Sequence, residues 1–147
     1  MEVRVQAGPF DIGAEISRFT EGRTDMGAIV TFSGLVRDSA AGDLRHMEIE
    51  HYPAMTAPAI EKIAAEAVSR WSLGDAMVIH RHGRLAPGEQ IMMVATAAPH
   101  RADAFAAAEF LMDYLKSRAP FWKKEVTAEG AAWVAAKDED EAALTRW

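Results

Sequence analysis

Residues 76–98 read Ala76-Met-Val-Ile-His-Arg-His-Gly-Arg-Leu85, Ala86-Pro-Gly-Glu-Gln90, Ile91-Met-Met-Val-Ala-Thr-Ala-Ala98. Two apolar runs of strand length flank Pro87-Gly88, a hairpin-like turn signal. Downstream, Pro99 precedes a helical stretch over about Ala102–Arg118, and Pro120 follows it. Phe121–Val126 and Ala131–Ala135 then flank the turn residues Thr127–Gly130, a second hairpin. Upstream lies a helix from an N-cap at Thr56 to Trp71, with Pro58 in its first turn and Ile60, Ile63, Ala67 and Val68 as its apolar stripe. Before it come a strand over Leu44–Tyr52, a small polar loop over Asp38–Asp43, and Gly27–Gly34, read as a buried strand continued to Arg37. Asp11 caps a helix carrying Ile12, Ile16 and Phe19, and Val3–Gln6 forms a short first strand. The order β-α-β-β-α-β-β-α-β-β, rich in sequential hairpins, predicts an α+β fold rather than a doubly wound parallel sheet.

The 147 residues suit one domain spanning 1–147. Half of them are hydrophobic and 26% charged, which excludes wholesale disorder. Cysteine is absent, so a disulfide framework, a thiolate metal site, a Cys nucleophile and a chain-borne persulfide are all excluded. A net charge of -6 argues against nucleic acid or an anionic membrane as partner. No run approaches the roughly 18 apolar residues of a membrane span, and MEVRVQAGPF lacks the plan of a signal peptide. The expected compartment is the cytoplasm.

Residues 100–124 nevertheless carry five bases against three acids, and this is where an anionic ligand would be sought. The alternative is a solvated helix and hairpin. His100-Arg101 falls at a helix N-terminus, where free N–H groups attract anions and disfavour cations, so Arg101 either pairs with Asp103 or helps hold an anion. Lys116 either pairs with Asp113 at the helix end or belongs to a site, and Lys123 follows it by seven residues. His80 and His82 share a strand face, but no further ligand lies at metal-binding spacing, so they read as exposed strand histidines, as do His46 and His51. The residues alone thus yield a candidate anion site from Arg37, His100, Arg101, Lys116 and Lys123, and no reaction.

Met112-Asp-Tyr-Leu-Lys-Ser-Arg-Ala-Pro-Phe-Trp-Lys-Lys-Glu125 resembles the signature of the large, catalytic subunit of molybdopterin synthase. Val30–Arg37, Glu50-His-Tyr-Pro53, Val78-Ile-His-Arg-His-Gly83, Pro99-His-Arg101 and the closing Arg146-Trp147 fit the same family in the same order. The resemblance implies an α/β hammerhead-like domain with an additional small antiparallel β-sheet. It implies sulfur transfer from the C-terminal thiocarboxylate of a small ubiquitin-like partner, ending in Gly-Gly, to cyclic pyranopterin monophosphate. The product is the molybdopterin dithiolene of molybdenum cofactor biosynthesis.

The family's assembly is a heterotetramer built on a homodimer of large subunits, and no resident metal or cofactor is expected. Carried over residue by residue, the catalytic lysines fall on Lys116 and Lys123. Substrate contacts fall on Leu35, Val36, Arg37, His100, Arg101, Lys116, Lys123, Lys124, Glu125 and Lys137. Leu35 stands where relatives can carry Lys, which leaves only its backbone. Lys137 stands where relatives can carry an Arg that reaches a neighbouring subunit's site. The alternative function is a non-catalytic α+β dimer that binds a small phosphorylated ligand.

Overall fold

Asp75–Arg81 (β4) and Gln90–Ala98 (β6) lie side by side, antiparallel, with Val78 opposite Val94 and Ile79 opposite Met93. Both strands are buried on both faces, which is why they read as continuous apolar runs rather than alternating ones. The computed structural model describes residues 1–135 and 137–147.

In chain order the remaining elements are β1 (Glu2–Gln6), α1 (Ile12–Thr20), β2 (Ala28–Leu35), β3 (Leu44–His51), α2 (Pro53–Trp71), β5 (Gly83–Leu85), α3 (Arg101–Arg118), β7 (Phe121–Thr127), β8 (Gly130–Trp133) and α4 (Asp138–Ala143). A 3-10 turn over Leu144–Arg146 follows α4. One sheet has the order β1-β4-β6-β2, with only β1 and β4 parallel. The other has the order β5-β3-β7-β8 and is antiparallel throughout. The fold is α+β, as the element order predicted, with the additional antiparallel sheet that the resemblance implied.

Helices cover the first sheet unequally. Met77, Ile79, Met93 and Ala95 pack with Phe19 of α1 on one face. Val78 and Val94 pack on the other with Ile60 and Ala64 of α2 and with Ala104, Phe110 and Leu111 of α3. That second cluster also takes Met47, Ile49 and Leu85, so it ties the two sheets together. Each large side chain fully buried there stabilises the fold by roughly 1.5–3 kcal/mol before entropy is counted.

Four local readings change. The stretch read as one strand over Ala76–Leu85 breaks at His82. Gly83 takes φ +94, a conformation costly for any residue with a Cβ, and the chain turns out of the first sheet so that β5 pairs with β3 instead. The β2 strand is half-exposed rather than buried, with Phe32 41% and Leu35 56% accessible, because it forms a sheet edge. Thr56 does not cap α2: the helix begins at Pro53, and the Thr56 hydroxyl donates back to the Tyr52 carbonyl at 2.8 Å. Helix α4 was not foreseen. Asp11, by contrast, caps α1 as expected, accepting from the Ala14 N–H at 2.8 Å.

Candidate active site

Pro120 stops α3 one turn after Lys116 and sends the chain into β7, so the helix end and the strand start meet at a corner. A cleft of about 360 Å³ opens there. Leu115, Phe121, Trp122, Trp133 and Val134 supply apolar walls, and Lys116, Lys123, Lys137 and Asp140 supply the charge. Asp140 is the only carboxylate lining it among the described residues. Lys123 is half-buried while Lys116 is exposed. Burial pushes the Lys123 ammonium below its usual range, the positive charge of Lys116 pushes it further, and Asp140 opposes both.

His80 forms part of the cleft wall. It is 5% exposed, stacked on Phe121 with ring centroids 3.7 Å apart and planes 16° from parallel. Its Nδ1 lies 2.7 Å from the Arg81 carbonyl, a geometry that assigns the proton to Nδ1. Burial drives its pKa down to about 3, outweighing that hydrogen bond, and Lys123, His51 and His82 add to the effect. The imidazole is therefore neutral near pH 7. This corrects the reading of His80 as an exposed strand histidine. The cause is the two-sided burial of β4, and the apolar Met77-Val-Ile79 just before it was the available signal. His82 lies beyond the end of β4 and packs against His51, ring centroids 4.1 Å apart.

The other sequence candidates are distributed around this cleft. Lys137 lines it, within its own chain. Lys124 turns away, as strand alternation requires, to sit 3.4 Å from Glu48 and 5.0 Å over the Trp133 ring. Arg37 and Glu125 share a second hollow with Asp38, Ser39 and Ala40. Glu125 is two residues beyond Lys123 on β7, so the two hollows are neighbours on one strand. Val36 is buried, and both its backbone groups are engaged by the Pro87-Gly88 turn, its N–H with Glu89 O and its carbonyl with Gly88 N, each at 2.8 Å. Leu35 is exposed at the end of β2.

His100 and Arg101 lie at the opposite end of α3, exposed, about 22 Å along the helix from Lys116. The Asp113 pairing considered for Lys116 does not form. Arg146 and the Trp147 indole take that carboxylate, each at 2.7 Å. Asp140 and the two cleft tryptophans were not singled out in the sequence. Asp140 is hidden there in a run of four acids, and nothing local marks it.

A cationic cleft holding a lysine with a lowered pKa fits the chemistry that the resemblance implies for Lys116 and Lys123. Residues 5–118 match the model of the family described as MoaE protein. The chain belongs to the MoaE family, that of molybdopterin synthase catalytic subunits. It is 71% identical over 147 residues to the molybdopterin synthase catalytic subunit of Cereibacter sphaeroides, covering 100% of both chains. Among solved structures, the MoaE protein of Burkholderia ambifaria superposes with a TM-score of 0.85 at 52% identity, over 99% of this chain and 97% of that one. The molybdopterin synthase of Staphylococcus aureus gives 0.81 at 28% identity, over 90% and 96%. The family model includes Lys116 and ends before Lys123, while the full-length match to the Cereibacter protein spans both. Among the described residues, no helix is long and apolar enough to cross a membrane.

Proposed function

We propose that the cleft between α3 and β7 receives the C-terminal Gly-Gly thiocarboxylate of a small ubiquitin-like subunit and transfers its sulfur to cyclic pyranopterin monophosphate. The observation that carries this reading is Lys123, half-buried beside Lys116, with its proton loosened by burial and by a second ammonium. A phosphate and a thiocarboxylate are both anions, and fixed positive charge in a partly dry hollow is what brings them together. At each transfer a C–S bond forms on the pterin side chain and a C–O bond breaks. Water then cleaves the acyl–sulfur bond, so the tail leaves as a carboxylate. A lysine with a lowered pKa can give or take the protons these steps need near neutral pH. The non-catalytic alternative explains the charge but not the likeness to catalytic subunits.

In this reading Arg37 and Glu125 extend the site along β7, and Lys124 supports its edge. His100 and Arg101 are too far along α3 to share a ligand with Lys116 of the same chain. They therefore serve the cleft of a second copy in the homodimer, anchoring phosphate at a helix N-terminus. The reaction runs in the cytoplasm, within a heterotetramer. The direct test is a co-crystal or a zero-length cross-link with the thiocarboxylated partner. The tail terminus is expected within salt-bridge reach of Lys116 or Lys123, and a terminus resting elsewhere would remove the sulfur-delivery route.

A further inference from the structure

Four acids in a row, Asp138 to Glu141, build the first turn of α4, yet only one of them enters the cleft. Asp138, Glu139 and Glu141 are exposed, whereas Asp140 is half-buried among Lys116, Lys123 and Lys137. The helix is pinned without help from the Asp140 carboxylate. Ser117 Oγ donates to the Asp140 backbone carbonyl at 3.1 Å, and Arg118 grips Glu141 through two hydrogen bonds of 2.7 and 2.9 Å. An acid is out of place in a hollow meant for anions unless the lysines need it when the hollow is empty.

We propose that Asp140 is a positioning residue for Lys123: its carboxylate is the resident counter-charge of the three-lysine cleft, and an anionic ligand takes over that task on binding. This inference rests on the reading of Lys123 as a group that exchanges protons during turnover.

The charged groups facing Lys123 are few. Lys116 comes from the end of α3, Lys137 and Asp140 come from the C-terminal segment, and the His80 imidazole on β4 is neutral. Lys124 and Glu48 pair with one another to one side. Among the described residues Asp140 is thus the one carboxylate lining the cleft that holds Lys123, Glu125 lying in the neighbouring hollow, and it works against burial and against Lys116. With Asp140 in place, Lys123 holds its proton more firmly as it meets an incoming thiocarboxylate or phosphate. Losing Asp140 has two consequences of opposite flavour. Lys123 releases its proton at lower pH, and the cleft, relieved of a competing anion, holds other anions more tightly. A residue with a merely structural role predicts neither.

The test uses the full-length protein with Asp140→Asn, and Glu139→Gln as the control for charge on the same helix. The Lys123 Cε resonance, assigned by its loss in Lys123→Arg, is followed by NMR as a function of pH. Its midpoint is expected to fall by roughly half a pH unit in Asp140→Asn. That is less than the one to three units of a contact pair, because no Lys123–Asp140 ion pair forms within hydrogen-bonding reach. It is expected to stay put in Glu139→Gln and to return in Asp140→Glu. Inorganic phosphate, read by the same lysine resonances, is expected to bind about threefold more tightly to Asp140→Asn. A midpoint unchanged in Asp140→Asn, or moved equally by Glu139→Gln, would overturn the proposal. The pH–rate profile with a thiocarboxylated partner then separates the two readings. If the NMR midpoint moves and the rate profile does not, Asp140 still sets the Lys123 proton, and the catalytic role of Lys123 falls.

Discussion

Helix α3 serves two regions with opposite demands. Over Ala104–Leu111 its inward side chains are sealed against β6 and α2, and one polar contact is admitted there, the Thr96 hydroxyl donating to the Ala104 carbonyl at 2.8 Å. In its last turn the exposed Lys116 stands beside the half-buried Lys123, and the helix borders a hollow instead of a packed face. Strand β4 makes the same passage. Val78 and Ile79 are sealed, and His80, the next residue, forms the cleft wall. The core is held by apolar contact, and the one buried charge beside it among the described residues, Arg81, is met by the Ala7 and Gln90 carbonyls. The cleft gathers three lysines, and burial there disfavours the charged form of Lys123, a cost that the proposed proton exchange would require.

The largest effect belongs to the core. Phe110 is fully buried and meets Trp71 and Trp147 edge-on, ring centroids 5.2 and 5.7 Å away. Phe110→Ala is expected to cost about 3–5 kcal/mol in a denaturant titration. Turnover per folded molecule should stay near normal. A variant that lost turnover while keeping its stability would erase the division between the two regions.

His80 lies on the boundary and tests it by pH. Its folded-state value of about 3 sits well below the ordinary 6.5. Between those values the unfolded chain binds a proton that the folded chain refuses, so stability falls as pH drops through this window. The slope from this one group is at most about 1.4 kcal/mol per pH unit. Urea midpoints from pH 7.5 to 4 should therefore fall more steeply for the wild type than for His80→Gln. Equal slopes would mean that His80 is not sealed.

A smaller effect is expected at Arg101, which touches neither the core nor its own chain's cleft. Arg101→Ala should weaken substrate binding about tenfold, the scale of one charge-assisted hydrogen bond, with a lesser change in kcat. An unchanged KM with a collapsed kcat would move Arg101 from anchoring to chemistry.

What was legible in the sequence follows the same division. Apolar runs at 76–81 and 91–98 and the helix between Pro99 and Pro120 declared themselves, because burial leaves a periodic trace along the chain. The break at Gly83 did not, since a single glycine after a histidine reads equally well as a strand interior. Lys116 and Lys123 were legible only as members of a candidate anion site; their catalytic role came from a resemblance over Met112–Glu125. Asp140 and His80 needed the fold. One lies in an acidic run whose members differ only in which way a short helix turns them. The other is a polar residue whose burial is decided by sheets and helices distant in sequence.

The central claim is that the loosened proton of Lys123, set beside Lys116, performs the reaction. The most direct measurement is dithiolene formation from a thiocarboxylated partner and cyclic pyranopterin monophosphate, comparing wild type with Lys123→Ala and Lys116→Ala. Both variants should melt like the wild type, and each should lose about 10²–10⁴-fold in rate. A folded Lys123→Ala protein that forms dithiolene at a near-normal rate would contradict the account.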